Sequence, residues 1–218
     1  MKPMKSVVLT FFFALFIACN GYSKKQEMSV KESYVPSAKT KVAYFASGCF
    51  WCVEAIFESV KGVEEAVSGY AGGFTKNPTY QTIGTGKTGH AETVAVYYNP
   101  DEVSFQTLVD VFFGSHDPTT VNGQHPDYGT QYRSIAFYSN DSEKVIITKT
   151  IASLNKEVYA GKIATQVAKI EKFYKAEEYH QDFEKRNPNN GYVRNVSIPR
   201  LNRFKKKFPQ LLKEEAKH

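Results

Sequence analysis

The spacing of apolar residues changes along the chain between two patterns, one typical of strands and one typical of helices. Short apolar runs bounded by Gly, Asn or Pro predict strands, whereas apolar residues three and four positions apart predict amphipathic helices. The predicted strands are 41–47, 63–70, 93–98, 134–138 and 165–170, and the predicted helices are 50–60, 104–114 and 142–159. Residues 116–131 are polar and predict a loop, and beyond residue 170 we expect irregular chain that ends in a basic tail.

Alternating strands and helices are typical of α+β or α/β proteins, in which helices pack on a mixed sheet. A strand–helix–strand unit followed by a second such unit favours a two-layer ferredoxin-like sandwich. The pattern does not determine the order of the strands. An aromatic content of 14% argues against a disordered chain, and three cysteines in 218 residues are too few for a disulfide scaffold.

The first residues have the pattern of a secretory signal. Lys2 and Lys5 precede an apolar run from Val7 to Ala18, which is shorter than the ~20 residues that a membrane-spanning helix needs. Cys19 follows this run directly, and the arrangement resembles a bacterial lipoprotein box, in which that cysteine is lipidated. We therefore expect a signal peptide at 1–18, export to the cell envelope and a lipid anchor on Cys19. The alternative is an uncleaved interfacial anchor with Cys19 as a small apolar residue.

The rest of the chain divides by composition. Residues 19–40 are polar, rich in Lys and Ser, and predict a flexible tether. Residues 41–212 form the predicted domain, and residues 213–218 form a short tail. The formal net charge is +6, and the region before the tail is basic. Its basic residues are Arg194, Arg200, Arg203, Lys205, Lys206 and Lys207. Because no base-reading motif accompanies them, we expect a solvated face near anionic headgroups and no nucleic-acid partner.

The chemistry is predicted at the motif Gly48-Cys49-Phe50-Trp51-Cys52, between a strand end and a helix start. Amides at a helix N-terminus stabilise a thiolate, and Cys52 lies one helical turn beyond Cys49. A structural zinc site needs four ligands, and no second cysteine pair exists to supply them, so we expect no metal. Redox chemistry is favoured over an inert pair. A thiol–disulfide exchanger is one candidate, although two large apolar rings inside the motif are better suited to a small apolar pocket.

Five segments resemble, in order, those of peptide methionine sulfoxide reductases of the A type. They are GCFWCVEAIFESVKGVEEAVSGYAGG, NPTYQTIGTGKTGHAETVAVYYNP, FFGSHDPT, DYGTQYRSIAFY and AEEYHQDF, and they extend over residues 42–192. The resemblance implies that Cys49 is the nucleophile and Glu92 the acid. It also implies that Tyr80 and Tyr132 are two hydroxyl donors and that Asp127 is a polar group of the pocket. Phe50 and Trp51 would form an apolar wall for the substrate methyl group.

These residue types suit sulfoxide reduction. A buried glutamic acid stays protonated near neutral pH and can protonate the sulfoxide oxygen while tyrosine hydroxyls hold it. Attack by Cys49 on sulfur then releases methionine and leaves a sulfenic acid on Cys49. Without the resemblance, Tyr80 and Tyr132 would be interpreted as loop anchors, Glu92 as a solvated edge charge and Asp127 as a turn former.

The chain differs from the commoner relatives at the resolving cysteine. Where they have a downstream Gly-Tyr-Cys segment, this chain has Gly191-Tyr192-Val193. The resemblance to the C-F-W-C subgroup implies that Cys52 resolves the sulfenic acid of Cys49 as a disulfide, which an external dithiol reduces. His125 and His180 are interpreted as packing or hydrogen-bonding residues.

The resemblance also implies the partners. We expect a monomer that takes methionine S-sulfoxide, free or in oxidised proteins and peptides, and a thioredoxin-like reductant, without any cofactor. Two alternatives remain open at this point. One is a thiol–disulfide exchanger, and the other is a basic surface-binding lipoprotein in which Cys49 and Cys52 are a structural pair.

Overall fold

The computed structural model describes residues 34–217. The predicted signal peptide, Cys19 and residues 20–33 of the predicted tether lie outside the described residues. The strands are β1 Lys41–Ala46, β2 Val63–Ala71, β3 Ala91–Tyr98, β4 Gly123–Gln124, β5 Asp127–Tyr128, β6 Ile135–Tyr138, β7 Gln166–Lys169 and β8 Phe173–Lys175. The α-helices are α1 Phe50–Glu58, α2 Tyr80–Gly84, α3 Phe105–Gly114, α4 Asp141–Leu154, α5 Phe183–Arg186 and α6 Ile198–Lys207. Within residues 34–217, every helix is too short or too polar to cross a bilayer.

Six strands form one mixed sheet in the order β7-β6-β1-β3-β2-β8. β3 lies between β1 and β2 and is antiparallel to both, and β6 is antiparallel to β1. The four central strands therefore have the order of a ferredoxin-like sheet, which confirms the predicted α+β class. β7 extends the sheet parallel to β6, and β8 extends the other edge antiparallel to β2.

The main core lies between one face of this sheet and helices α1 and α3. The ring of Phe45 in β1 stacks on Phe57 of α1 and on Phe112 of α3, with 5.1 Å between ring centroids in both pairs. β3 is buried along nearly its whole length, which explains why the sequence from Val94 to Tyr98 is apolar and does not alternate. A smaller apolar cluster on the opposite face includes Ile135 and Phe137.

Several elements of the structure are absent from the sequence pattern. The pair β4 and β5, the strand β8 and the five-residue helix α2 are too short to show a period. The predicted helix 142–159 is an α-helix only to Leu154 and continues as a π-helical turn, Asn155–Tyr159. The expectation of irregular chain before the tail is wrong, because α6 occupies that region. Its apolar residues Ile198, Leu201 and Phe204 do have helical spacing, and this signal could have revealed the helix.

The described end of the predicted tether packs on the sheet. The ring of Tyr34 meets the ring of Tyr97 edge-on at 5.4 Å between centroids, and its hydroxyl donates to Glu64. The hydroxyl of Thr40 donates to the same carboxylate at 2.7 Å. Contacts with the domain therefore begin before β1.

Candidate active site

Helix α1 begins where β1 and β2 end and β3 starts, and this edge of the sheet brings the predicted site residues together. Cys49 is the N-cap of α1. The backbone N–H of Phe50, the first residue of the helix, donates to Oε2 of Glu92 at 2.9 Å. Gly48 has φ +87°, and a Cβ at this position would lie 2.7 Å from Cβ of Gln124, so the turn into the helix requires glycine. The first free amide of α1 thus binds the acid of β3.

Glu92 is a buried, neutral acid and not a solvated edge charge. The residue is 1% exposed. Burial, with a smaller contribution from the charges of Asp127 and Cys52, raises the pKa of Glu92 to about 8, although the hydrogen bond from Phe50 opposes the shift. The carboxyl group is therefore mostly protonated at neutral pH, and it can donate a proton to a ligand next to Cys49.

The two thiols lie together and share a hydrogen bond. Cys49 is 6% exposed, Cys52 is 1% exposed, and both are free thiols. Burial and the contact with Cys52 raise the pKa of Cys49 well above its ordinary value. The hydrogen bond from Cys49 and the charge of Arg200 lower the pKa of Cys52 to about 6. At neutral pH the pair therefore holds one proton, which differs from the expectation that the helix N-terminus favours a thiolate on Cys49 itself.

An aromatic wall stands beside the thiols. Trp51 stacks on Phe183 of α5 with 3.7 Å between ring centroids and an interplanar angle of 8°. Its indole N–H donates to Nδ1 of His180 at 3.1 Å, which fixes the ring orientation. Phe50 is buried against His180, with 4.9 Å between centroids. The hydrogen-bonding role expected for His180 is confirmed, because burial lowers its pKa and leaves Nδ1 as an acceptor at neutral pH.

Tyr80 and Tyr132 present hydroxyl groups that anchor nothing in the described structure. Tyr80 begins α2, where its backbone N–H donates to Glu177 at 3.0 Å, and Tyr132 ends a 3₁₀ turn. Within residues 34–217 neither hydroxyl makes a hydrogen bond. Burial and the nearby carboxyl of Glu92 raise the pKa of both phenols, so both remain proton donors. Two unpaired donors near Glu92 and Cys49 are suited to holding a ligand oxygen.

Asp127 lies in β5, directly after the cis peptide bond between His125 and Pro126. Its carboxylate accepts a hydrogen bond from the hydroxyl of Tyr192. The same hydroxyl lies 3.9 Å from Sγ of Cys52. Burial raises the pKa of Asp127, while the Tyr192 hydrogen bond and the charge of Arg200 oppose the shift. Tyr192 thus connects the polar group of the site to the second cysteine.

The structure brings together all predicted site residues of the domain, and Cys19 lies outside the described residues. Sequence reasoning missed Tyr192 and Arg200 as site residues. In the sequence, Tyr192 stands out only as the neighbour of Val193, which takes the place of the downstream cysteine and is buried. Arg200 was assigned to the solvated basic face, and this assignment is wrong, because α6 turns its guanidinium inward onto the backbone before Cys49.

One acidic cluster of the described residues has ligand atoms close enough for a metal ion, and its chemistry does not favour one. It consists of Glu54, Glu58 and Asp182. Burial raises the pKa of Glu54 to about 8, and its carboxyl binds the hydroxyl of Ser68 and the backbone N–H of Asp182. Lys185 pairs with Glu58 at 2.7 Å and with Asp182 at 3.2 Å. A neutral acid and a lysine already satisfy this cluster.

Known proteins share both the sequence and the fold. The family described as peptide methionine sulfoxide reductase matches residues 41–212. The chain is 45% identical over 190 residues to peptide methionine sulfoxide reductase MsrA 1 of Rhodopirellula baltica, covering 85% of this chain and 98% of the relative. It is 47% identical over 174 residues to MsrA of Pasteurella multocida, covering 80% and 99%.

Two solved structures are similar to the fold. Methionine sulfoxide reductase A of Corynebacterium diphtheriae has a TM-score of 0.64 and 33% identity, covering 71% of this chain and 78% of that one. Mxr1 of Saccharomyces cerevisiae in its reduced form has a TM-score of 0.67 and 35% identity, covering 73% and 92%.

Proposed function

The chain belongs to the peptide methionine sulfoxide reductase family, A type, and we propose that it reduces methionine S-sulfoxide through Cys49, with Glu92 as the acid and Cys52 as the resolving thiol. The substrates are oxidised proteins and peptides as well as the free amino acid. The observation that carries this proposal is the neutral carboxyl of Glu92, bound to the first amide of the helix that Cys49 caps.

The first step joins Cys49 to the sulfoxide. Glu92 donates a proton to the sulfoxide oxygen, while the free hydroxyls of Tyr80 and Tyr132 hold that oxygen. The methyl group lies against Trp51 and Phe50. The proton of the Cys49 thiol passes to Cys52, and the resulting thiolate attacks sulfur. The oxygen is transferred to Cys49 as a sulfenic acid, and methionine leaves with sulfur reduced by two electrons.

The second step returns the enzyme to its starting state. Cys52 first returns the proton that it took from Cys49 to the Glu92 carboxylate, which restores the neutral acid. The Cys52 thiolate then attacks the sulfur of the Cys49 sulfenic acid, the disulfide forms, and the hydroxide that leaves is protonated to water by solvent. A thioredoxin-like dithiol then reduces this disulfide in two exchange steps. Val193 occupies the place of the downstream cysteine, so Cys52 is the remaining thiol within residues 34–217.

A single-turnover assay tests this function. The protein is mixed with an excess of either epimer of a methionine sulfoxide peptide, without reductant, and methionine release is measured by chromatography. About one methionine per protein from the S epimer, and none from the R epimer, supports the proposal. Cys49→Ser is the matched control and releases none. Disulfide exchange without any sulfoxide reduction would support the thiol–disulfide exchanger instead.

We also propose that the enzyme is exported and held in the cell envelope by a lipid on Cys19, as a monomer. The support is the sequence pattern at 1–19, with two lysines, an apolar run and the cysteine. Metabolic labelling with a fatty acid and detergent-phase partitioning test this, with Cys19→Ala as the control. Label in the Cys19→Ala protein would contradict the assignment. Light scattering of the detergent-solubilised protein tests the monomer.

A further inference from the structure

Arg200 occupies an unusual position for a residue of a basic surface stretch. Its Nε–H donates to the carbonyl oxygen of Ser115 at 2.9 Å, and Nη2 donates to the carbonyl oxygen of Ser47 at 3.0 Å. A Cβ on Gly48 would lie 3.5 Å from Nη1, so the guanidinium lies against the turn that leads into Cys49. Two backbone carbonyls, one directly after β1 and one at the C-cap of α3, thus hold a half-buried cation beside the turn that leads into Cys49.

The charge of Arg200 has no acidic partner in the described part of the chain. No carboxylate of residues 34–217 lies within ion-pair distance of the guanidinium. His116 lies nearby, but burial and this cation lower its pKa to about 3, so it adds no charge at neutral pH. The charge of Arg200 acts instead on Cys52 and on Asp127, whose carboxylate binds Tyr192, and it lowers the pKa of both groups. A half-buried cation without a paired carboxylate favours the anionic form of a titratable group close to it.

We propose that Arg200 is a positioning residue that holds Cys52 as a thiolate, so that Cys52 is both the sulfur that resolves the oxidised Cys49 and the sulfur that leaves when the disulfide is reduced. This inference rests on the proposed function. The groups that face the Cys52 thiol are Cys49 at the N-cap of α1, Glu92 of β3, and Tyr192, Ser197 and Arg200 of the C-terminal segment. Of these, Arg200 is the group with a permanent positive charge.

The two exchange steps both pass through the Cys52 thiolate. In resolution, this thiolate attacks the Cys49 sulfenic acid, an S–S bond forms, and hydroxide leaves and is protonated to water. In reduction, a thiolate of the reductant attacks Cys49, the more exposed of the two residues at 6% against 1% for Cys52. The S–S bond then breaks with its electron pair on Cys52, and the reductant is joined to Cys49. A low pKa of the leaving thiol accelerates this step.

A titration of Cys52 tests the charge. The full chain with Cys19→Ser and Cys49→Ser keeps one thiol, and its thiolate absorbance is followed from about pH 4 to about pH 9, with Cys52→Ser added as the blank. We expect Arg200→Gln to raise the midpoint and Arg200→Lys to restore it. Arg203→Gln, which changes an exposed arginine of the same helix, leaves it unchanged. A rise of one pH unit lowers the thiolate fraction about tenfold below both midpoints, and disulfide formation at low pH slows by about that factor.

Two results of the titration overturn the proposal. One is an equal midpoint in Arg200→Gln and the parent chain. The other is an Arg200→Lys protein that behaves like Arg200→Gln, because hydrogen bonding and not charge would then be the contribution of Arg200. The titration uses no sulfoxide, so it decides the role of Arg200 even if the parent chain fails to release methionine and the proposed function fails with it.

A second measurement leaves Arg200 unchanged. The Cys19→Ser chain is oxidised by one turnover and mixed with a thioredoxin that lacks its second active-site cysteine. Tandem mass spectrometry of the trapped mixed disulfide then locates the bond. A bond to Cys49 supports Cys52 as the leaving sulfur, and a bond to Cys52 contradicts it.

Discussion

Replacing Glu92 with Gln is expected to stabilise the fold by an amount that grows with pH. The folded protein keeps a proton on Glu92 up to about pH 8, whereas the unfolded chain releases it near the ordinary value of 4.5. Between these values the folded state binds more protons, so the free energy of unfolding falls as pH rises. Glutamine is neutral at every pH and removes this penalty.

The size of the effect follows from the pKa shift. Each unit of difference is worth ~1.4 kcal/mol, so a buried acid raised from 4.5 to about 8 destabilises the fold by roughly 3 kcal/mol at pH 7 and about 5 kcal/mol above pH 8. At about pH 4 the same substitution has no electrostatic gain. The side-chain oxygen of glutamine still accepts the hydrogen bond from Phe50, which keeps the start of α1 in place.

Urea unfolding of the parent and Glu92→Gln proteins at about pH 5, 7 and 8 measures this gain. Glu54 has a raised pKa of the same size, so the pH dependence of the parent alone contains both acids, and the difference between the two proteins isolates Glu92. Glu54→Gln is the matched control. It should also raise the free energy of unfolding, but it leaves Glu92, the proton donor of the site, in place. A stability difference that is equal at all three pH values would refute the argument that burial keeps Glu92 protonated.

Three further predictions concern activity. Glu92→Gln slows the single-turnover release of methionine, measured by rapid quench, by about 100- to 10,000-fold near neutral pH. It also abolishes the decline of this rate that the parent protein shows above about pH 8. An unchanged rate would assign the proton to another group. Cys52→Ser in the Cys19→Ser chain still releases about one methionine, more slowly because Cys52 no longer accepts the proton of Cys49, and it stops turnover with thioredoxin. A trapped sulfenic acid on Cys49 in the mass spectrum checks this. Tyr80→Phe and Tyr132→Phe each lower the single-turnover rate without changing the free energy of unfolding by more than ~1 kcal/mol, since neither hydroxyl has a partner in residues 34–217. A larger loss of stability would contradict the assignment of both hydroxyls as free.

Local pattern predicted the elements that have strong periods. β1, β3, α1 and α3 are found at the predicted places because their apolar residues are spaced for one buried face or for full burial. Short elements such as β8 and α2 have too few residues to show a period. α6 was missed because the many lysines and arginines in its sequence outweighed three apolar residues at helical spacing.

The candidate site was predicted in its residue types but not in its electrostatics. The motif around Cys49 placed the nucleophile at a helix start, and the structure agrees. The expected thiolate on Cys49 differs from the structure, because its pKa is raised by burial and by the neighbouring thiol. Such shifts depend on the number of atoms that surround a group and on nearby charges, which neighbours along the chain do not reveal.

The sequence by itself determined the strand–helix alternation, the helix start that positions Cys49 and the resemblance that assigned the chemistry. These are local properties, since hydrophobic spacing and short motifs depend on residues close in the chain. The tertiary structure decided which acid is neutral, which tyrosine hydroxyls are free and where the charge of Arg200 points. Each of these depends on distant contacts: Phe50 binds Glu92 across 42 positions, and Ser47 binds Arg200 across 153. Burial and pairing of charges arise only when the sheet, α1 and α6 pack together, because the dielectric surroundings of a group are formed by the whole fold.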